Sequence, residues 1–390
     1  MNIAHFGVYK PESSNGANRA VAGLAKGQRE LGNNVYVYSL DLDSEEIVKE
    51  TRDGINIVHF PKLKMKGFKL PPIFKDYIRK NPDNIHIFHL HSVYMPENVV
   101  LSQNLTIPYV LTPHGGYSPM SRKRSIASFI KKSIFDLLFE KRMLKKAAAI
   151  QALTEDEHMH IKKLTKHGNI FIVPNGVEIP EIKISNITDS KSKKSEYGDY
   201  IVYCGRLDIK CKGIDLLLKA FALTVERNWI KRVKTCLNRA GKKCMKKKIN
   251  KMINKYELTD KVVLTGALHG EEKNNLIANS KFYIQCSRWD GFSLSVAEAA
   301  VLGKPVVITE GIGFKYWIKK YKCGIVAKAT PEHISAAIKA MYHYTESHRF
   351  NLEIKSRVQK LANELSWKVI AEKIVSKYSS ILKVRLYTGN

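Results

Sequence analysis

Two acids, an arginine and a lysine carry the clearest chemistry in this chain. Asp290 and Glu298 lie in residues 287–309, SRWDGFSLSVAEAAVLGKPVVIT. An acid and a glycine lead into the small-residue run 295–300, then Gly303-Lys304-Pro305 and the β-branched run 306–309. This pattern predicts loop, helix, tight turn and buried strand. A helix starting between Phe292 and Ser295 leaves Asp290 just before it or in its first turn. If both acids are helical, Glu298 follows a little over two turns later on broadly the same face. The backbone N–H groups of Gly291, Phe292, Ser293 and Leu294 at the helix start suit an anion or a polyhydroxyl ligand. A carboxylate such as Glu298 accepts from both hydroxyls of a vicinal diol. Arg206 and Lys212 follow the strand-like run 200–204, in GRLDIKCKG. A rigid guanidinium fork and a compact ammonium suit a diphosphate, whose charge grows as a bond to it breaks. Against these stand plainer alternatives: a surface ion pair for Arg206, and a solvent-facing helix acid for Glu298. The apolar neighbours Val296, Ala297, Ala299 and Ala300 argue for a packed helix instead.

These residues need a scaffold, and the chain reads as alternating strands and helices. Residues 2–8 predict a strand and 10–16 a loop. A helix over 17–31 and a strand over 35–38 follow, a Rossmann-like order. No Gly-x-Gly-x-x-Gly follows the first strand, which argues against a nicotinamide cofactor. Further strands are predicted at 55–60, 85–90, 107–112, 150–154 and 170–173. Their ends carry His89, His91, His114 and Asn175, where polar residues of such sheets face a ligand crevice. His114 has a plain alternative as a hydrogen-bonded structural histidine, and Trp289 as a core aromatic. A long basic amphipathic helix is expected over 128–149, and the acids 155–157 open another helix at its favourable end. The polar stretch 178–198 is the expected linker. Strands at 200–204, 262–265, 282–286, 306–309 and 324–326 then build a second unit. Helices are expected at 214–221, from 271, at 331–342 and at 370–384.

With 390 residues, 44% hydrophobic and 26% charged, the chain suits two globular domains. Its six cysteines have no Cys-x-x-Cys spacing, which fits a reducing compartment. The start MNIAHFGVYKP reads as a first strand and not as a signal peptide, and no apolar run is long enough to cross a membrane. The formal charge of +29 favours an anionic partner. Residues 227–256 hold twelve Lys or Arg and no acid, and 122–146 hold nine against two acids.

The paired-acid segment resembles the donor-site signature of the retaining, nucleotide-sugar-dependent glycosyltransferases of family 4. Asp290 stands where that family more often has Glu. The order of Gly16, His114, Pro174-Asn175-Gly176, Gly205-Arg206, Lys212-Gly213 and the two acids is similar over nearly the whole chain. Pro113-His114-Gly115 and the basic helix resemble a branch acting on surface-glycan precursors. The resemblance implies the GT-B fold, two Rossmann-like doubly wound α/β domains facing across a cleft. Its expected bounds are an acceptor-side domain over 1–180, a linker over 181–198 and a nucleotide-sugar domain over 199–370. A last helix over 371–390 would pack back on the first domain. One departure stands out: the family usually has an apolar strand and a Gly-rich turn where residues 233–241 read VKTCLNRAG. A poor strand and a changed turn are expected there.

The resemblance also implies roles. Arg206 and Lys212 would hold the diphosphate of a UDP- or GDP-sugar, bound as a substrate, with no tightly bound cofactor and no metal requirement. Glu298 would bind the ribose and Asp290 the donor sugar. Gly16 would let backbone approach the transferred group, and His114 would lie near the anomeric end and the C6 hydroxyl. Transfer of a hexose to a hydroxyl of a glycan or of a lipid- or polyprenyl-linked precursor is expected, with retention by same-face attack. Arg122, Lys123 and Arg124 are candidates for a phosphorylated acceptor or a lipid headgroup. The basic helix is either packed on its own domain or docked on an anionic inner leaflet, so the expected location is cytoplasmic or peripheral at that face. The competing readings are a nucleotide-sugar epimerase, phosphorylase or synthase, a non-catalytic relative, and a basic nucleic-acid-binding protein. The last lacks any zinc spacing or RNA-binding signature.

Overall fold

The computed structural model describes residues 1–388 except 14, 44, 63–67, 123–124, 180–197, 226–233 and 239–242. At 234–238, 243–244, 348, 351, 355 and 386–388 it describes backbone alone. The chain divides into two compact units, residues 1–176 with 365–390, and 177–364.

The first unit is built on eight strands: β1 (Asn2–Phe6), β2 (Asn34–Leu42), β3 (Val48–Arg52), β4 (Ile55–Pro61), β5 (Ile87–His91), β6 (Tyr109–Thr112), β7 (Ala149–Ala152) and β8 (Ile170–Ile172). Their order in the sheet is β3-β4-β2-β1-β5-β6-β7-β8. Only the β3–β4 pair is antiparallel. Strands β5, β6 and β7 are buried along their whole length, as parallel strands covered on both faces are. The order reverses between β1 and β5, so the carboxyl ends of these two strands flank the switch point where open α/β sheets bind ligands.

Helix Gly16–Glu30 follows β1, with the Asn15 side chain capping Ala17 N at 3.1 Å. Its Gly23 and Gly27 lie under Trp367, which opens the last helix, Trp367–Thr388. A Cβ on Gly23 would fall 2.0 Å from the Trp367 ring, so only glycine admits this contact. Ile370, Ala371, Ile374 and Tyr378 of the last helix join Ile3, Leu24 and Ile87 in one buried cluster. Each isoleucine buried there contributes roughly 2 kcal/mol.

The second unit holds β9 (Tyr200–Cys204), β10 (Lys234–Asn238), β11 (Val262–Gly266), β12 (Tyr283–Gln285), β13 (Val306–Thr309) and β14 (Gly324–Ala327). All are parallel, in the order β11-β10-β9-β12-β13-β14, which is the doubly wound order 3-2-1-4-5-6. Its switch point lies between β9 and β12. Both units are thus Rossmann-like.

Several expectations change. Residues 234–238 form a full strand between β9 and β11, despite their polar composition. Ladder hydrogen bonds from both sides satisfy the backbone whatever the side chains are. The turn expected to differ, 239–241, lies outside the described residues, as does nearly all of the expected linker. The β3–β4 hairpin and helices Pro72–Lys80, Pro96–Asn104 and His348–Leu365 add to the expected elements. The basic helix runs as Ile126–Phe135, a π turn Asp136–Glu140, and Lys141–Lys146, with Ser125 as N-cap. It stops before Ala147, and Ala149 already begins β7.

Candidate functional site

In the second unit the candidate residues gather at the carboxyl ends of β9 and β12. Beyond β9, Asp208 caps the short helix Ile209–Lys212 by accepting from Cys211 N at 2.9 Å. Gly213 ends that helix at φ +64°, and a Cβ there would stand 1.9 Å from the Cys286 carbonyl oxygen. Glycine alone permits this approach of two loops. It brings Lys212 Nζ onto Asp290 Oδ2 as an ion pair with both side chains mostly buried. Gln285 Nε2, at the end of β12, also reaches Asp290 Oδ2, at 2.8 Å. The same amide lies 3.0 Å from Ser287 Oγ and 2.9 Å from Ser293 Oγ, while Gln285 Oε1 accepts from Ser295 and Tyr283. Burial alone would raise the Asp290 pKa. The Lys212 ammonium and the Ser293 and Gln285 hydrogen bonds outweigh it and hold the carboxyl below its usual range. Asp290 is therefore ionised and oriented.

Helix Leu294–Val301 begins just after, with Ser293 at φ +61° and no side-chain cap on its first N–H groups. A non-glycine residue at positive φ is strained backbone, and it stands here directly before the helix start. Asp290 lies outside the helix, in a bridge to Ile312. Glu298 sits inside it, 7% exposed, and pairs with Lys273 Nζ at 3.1 Å. Arg206 is exposed, and its guanidinium makes no hydrogen bond or ion pair among the described residues. It thus remains available for an anionic ligand.

Phe292 is not available as a side-chain contact. It is buried and packs edge-on against Phe314 and Trp317, leaving only its backbone to face a ligand. Lys212 and Asp290, expected to act on different parts of a donor, are bonded to each other. Lys273 and the Gln285 network were not expected. Gln285 lies within an apolar strand, where a polar side chain is the sequence signal for a site.

In the first unit, Gly16 is the exposed first residue of its helix and not part of the preceding loop. His114 follows β6 at φ +51°, with Gly115 at +76°. Glu157 clamps this turn, accepting from Gly115 N and, at 2.7 Å, from Leu153 N. Full burial pushes the Glu157 carboxyl up to about 7, against the two backbone donors that favour its ionised form. His114 Nε2 is 3.0 Å from His91 Nδ1, and His91 Nε2 is 2.9 Å from His5 Nδ1. His5 Nε2 meets Gln28 Oε1 at 2.7 Å. His89, beside His5 in register, bonds Tyr378 OH at 2.5 Å and Thr112 Oγ1 at 2.6 Å. Burial holds His5 and His114 down at about 4, and His89 and His91 well below the usual imidazole range.

His5, His89 and His91 bring ligand-type nitrogens within 4.8 Å of one another. All six nitrogens are taken up by side-chain hydrogen bonds. His5, Gln28 and Tyr378 were not expected in the site. Asn175 lines a small cavity with His91, His114, Gln151 and Trp367. Trp289 is half-buried, and its carbonyl accepts from Cys211 Sγ at 3.5 Å. Arg122 is engaged internally: it pairs with Asp136 Oδ2 at 2.6 Å and lies over the Phe129 ring. Lys123 and Arg124 lie outside the described residues.

Each unit is a doubly wound α/β fold with its candidate residues at the carboxyl ends of the strands, the two-domain class to which GT-B glycosyltransferases belong. Residues 14–180 match the family model Glycosyltransferase Family 4, and residues 185–357 match Glycosyl transferases group 1. No curated protein matches the chain. Among solved structures, sucrose-phosphate synthase from Thermosynechococcus elongatus is 18% identical with a TM-score of 0.76, over 98% of this chain and 100% of that one. A glycosyltransferase from Rickettsia africae is 17% identical with a TM-score of 0.72, over 98% of each chain. HepE from Anabaena, solved with UDP and glucose, is 16% identical with a TM-score of 0.71, over 97% of this chain and 100% of that one. The chain is a GT-B glycosyltransferase related to the group 1 and family 4 transferases.

Proposed function

We propose that the chain transfers a sugar from a nucleoside diphosphate sugar to a hydroxyl of a glycan or lipid-linked glycan precursor, with retention at the anomeric carbon. One observation supports this reading: Lys212, from the segment after β9, is ion-paired with Asp290, from the segment after β12, beside the switch point of a doubly wound sheet. Exposed Arg206 also follows β9, and Glu298 lies in the helix that follows Asp290. Arg206 and Lys212 supply fixed positive charge for a leaving diphosphate. The uncapped N–H groups at the start of helix Leu294–Val301 add to it. Glu298 accepts from ribose hydroxyls, and Asp290, held ionised by Lys212, accepts from donor-sugar hydroxyls. His114 is the first unit's candidate contact to a sugar hydroxyl. With Glu298 on the ribose and Asp290 on the sugar hydroxyls, this assignment names no second carboxylate for a double displacement, so same-face attack is favoured, with the leaving diphosphate taking the acceptor proton. UDP is the first donor base to test, since HepE is solved with it.

The experiment is a thermal-shift and calorimetric screen over UDP-, GDP- and ADP-sugars, with Arg206→Ala and Glu298→Gln as controls. Binding of at least one donor, weakened in both variants, is the expected result. Absence of any donor binding refutes the reading, and inversion at the product's anomeric carbon refutes the same-face route.

We propose in addition that the basic helix docks on an anionic membrane surface where such acceptors are presented. Ile126, Ile130, Ile134, Leu137 and Leu138 are exposed along it, Ile126 to 82% and Leu137 to 69%. Lys131, Lys141, Arg142 and Lys145 are exposed on the same run. An apolar row flanked by cations matches an interfacial helix. The chain should sediment with vesicles containing phosphatidylglycerol and not with phosphatidylcholine alone, and Leu137→Ser with Leu138→Ser should abolish it. Equal sedimentation with both vesicles refutes the proposal. No helix among the described residues is long and apolar enough to cross a membrane.

A further inference from the structure

The hydrogen bonds of the first unit's polar cluster can be oriented from one fixed point, the Val173 carbonyl. A carbonyl only accepts, so Gln151 Nε2, 2.8 Å away, donates to it. That turns Gln151 Oε1 toward Thr112, whose hydroxyl donates at 2.8 Å. With its one proton committed, Thr112 Oγ1 accepts from His89 Nε2. No carboxylate hydrogen-bonds to His5, His89, His91 or His114 among the described residues, and His5 and His89 are fully buried. Neutral rings are the favoured state there. A neutral His89 protonated on Nε2 has a bare Nδ1, which accepts from the Tyr378 hydroxyl. The Tyr378 oxygen, its proton committed, faces the Gln28 amide nitrogen at 3.5 Å. Gln28 Oε1 then accepts from His5 Nε2. His5 Nδ1 accepts from His91 Nε2, and His91 Nδ1 accepts from His114 Nε2.

Every donor in this run points the same way, and it cannot be reversed, because reversal would require a carbonyl to donate. It ends at His114 Nδ1, which makes no hydrogen bond among the described residues, on a ring that is only partly buried. We propose that the run from Gln151 through Thr112, His89, Tyr378, Gln28, His5 and His91 is a positioning relay that locks His114 in its Nε2–H tautomer. Nδ1 is thereby an obligate acceptor. It takes a ligand hydroxyl or N–H and disfavours a phosphate oxygen, which has no proton to give. That the hydroxyl belongs to a sugar rests on the glycosyl-transfer reading; the tautomer does not. Buried polar side chains in such number specify one arrangement only if every member is satisfied, and here one direction alone satisfies them. Strand pairing sets the relay up: His5 lies beside His89, and His91 beside Thr112, on adjacent parallel strands.

The test is long-range proton–nitrogen correlation spectroscopy of the full chain with nitrogen-15 histidine, without ligand, at neutral pH. Assignment comes from replacing the other histidines one at a time. His5, His89, His91 and His114 should all show a protonated Nε2 and a bare Nδ1. A protonated Nδ1 on any of the four overturns the relay. Tyr378→Phe removes the oxygen that accepts from Gln28 Nε2 and so orients that amide, along with the proton given to His89 Nδ1, so the single His114 tautomer should be lost while the melting profile stays cooperative. Thr112→Val breaks the run from its other end and should do the same. A folded variant of either kind with an unchanged His114 signature overturns the proposal. If neither folds, the wild-type spectrum alone decides. The expected tautomers in a chain that binds no nucleotide sugar would support the relay and overturn the sugar assignment.

Discussion

Replacing Glu157 by glutamine should change how the first unit's stability depends on pH. Glu157 is fully buried, accepts two backbone N–H groups at the His114–Gly115 turn, and titrates near 7. Its unfolded value is 4.5. A carboxyl raised in the folded state favours folding most when protonated. Its contribution is fully present below the unfolded value and is lost as pH rises through about 7. Between pH 5.5 and 7.5 the wild type should therefore lose about 2 kcal/mol through this one group. The amide of the Glu157→Gln variant cannot ionise and escapes that loss. It also has one acceptor oxygen where two N–H groups need partners, which costs roughly 1–2 kcal/mol at every pH. The variant should thus be clearly less stable than wild type at pH 5.5, with the gap closing by about 2 kcal/mol at pH 7.5. Urea unfolding can be followed on Trp367, the one tryptophan of residues 1–176 and 365–390. Trp229, Trp289 and Trp317 would be changed to Phe in both proteins. A stability gap that stays constant or widens between the two pH values refutes the burial argument.

Other outcomes follow from the second unit. Lys212→Met strands the mostly buried Asp290 carboxylate and should cost about 3 kcal/mol, largely recovered by adding Asp290→Asn; a double-mutant cycle on urea midpoints that shows simple additivity contradicts this. Gly213→Ala drives a Cβ into the Cys286 carbonyl at positive φ and should lower stability by more than about 2 kcal/mol, read as a drop in melting temperature. Glu298→Gln should weaken UDP binding about tenfold by calorimetry, since one acceptor for a ribose diol is lost; unchanged affinity removes Glu298 from the ribose. With Tyr378→Phe, turnover should fall while UDP affinity stays within about twofold, because the relay belongs to the first unit; a matching loss of UDP affinity would contradict that separation.

Much of the second unit's fold around its candidate site lay open in the amino-acid order. The strand over 200–204, the run 306–309 and the helix carrying Glu298 have local signals strong enough to read directly: β-branched runs, a Gly-x-Pro turn and small-residue periodicity. Lys212-Gly213 was also legible, because a basic residue before a glycine after a strand is a local pattern. What each side chain bonds to was not. The Lys212–Asp290 pair spans 78 positions, and the Tyr378–His89 bond spans 289. No spacing rule reaches that far. Strand β10 was obscured because a central strand is held by its neighbours' hydrogen bonds as much as by its own side chains. Hairpin β3–β4 had its turn signal in Asp53-Gly54, but its exposed, charged β3 lacks the apolar alternation that marks a strand. The amino-acid order alone determined which chemical groups the chain owns and the local elements that carry them. The sheet order, with the burial and long-range hydrogen bonds that follow from it, decided which acid meets which cation and which nitrogen of His114 keeps its proton. Those outcomes depend on distances closed only when remote strands pair.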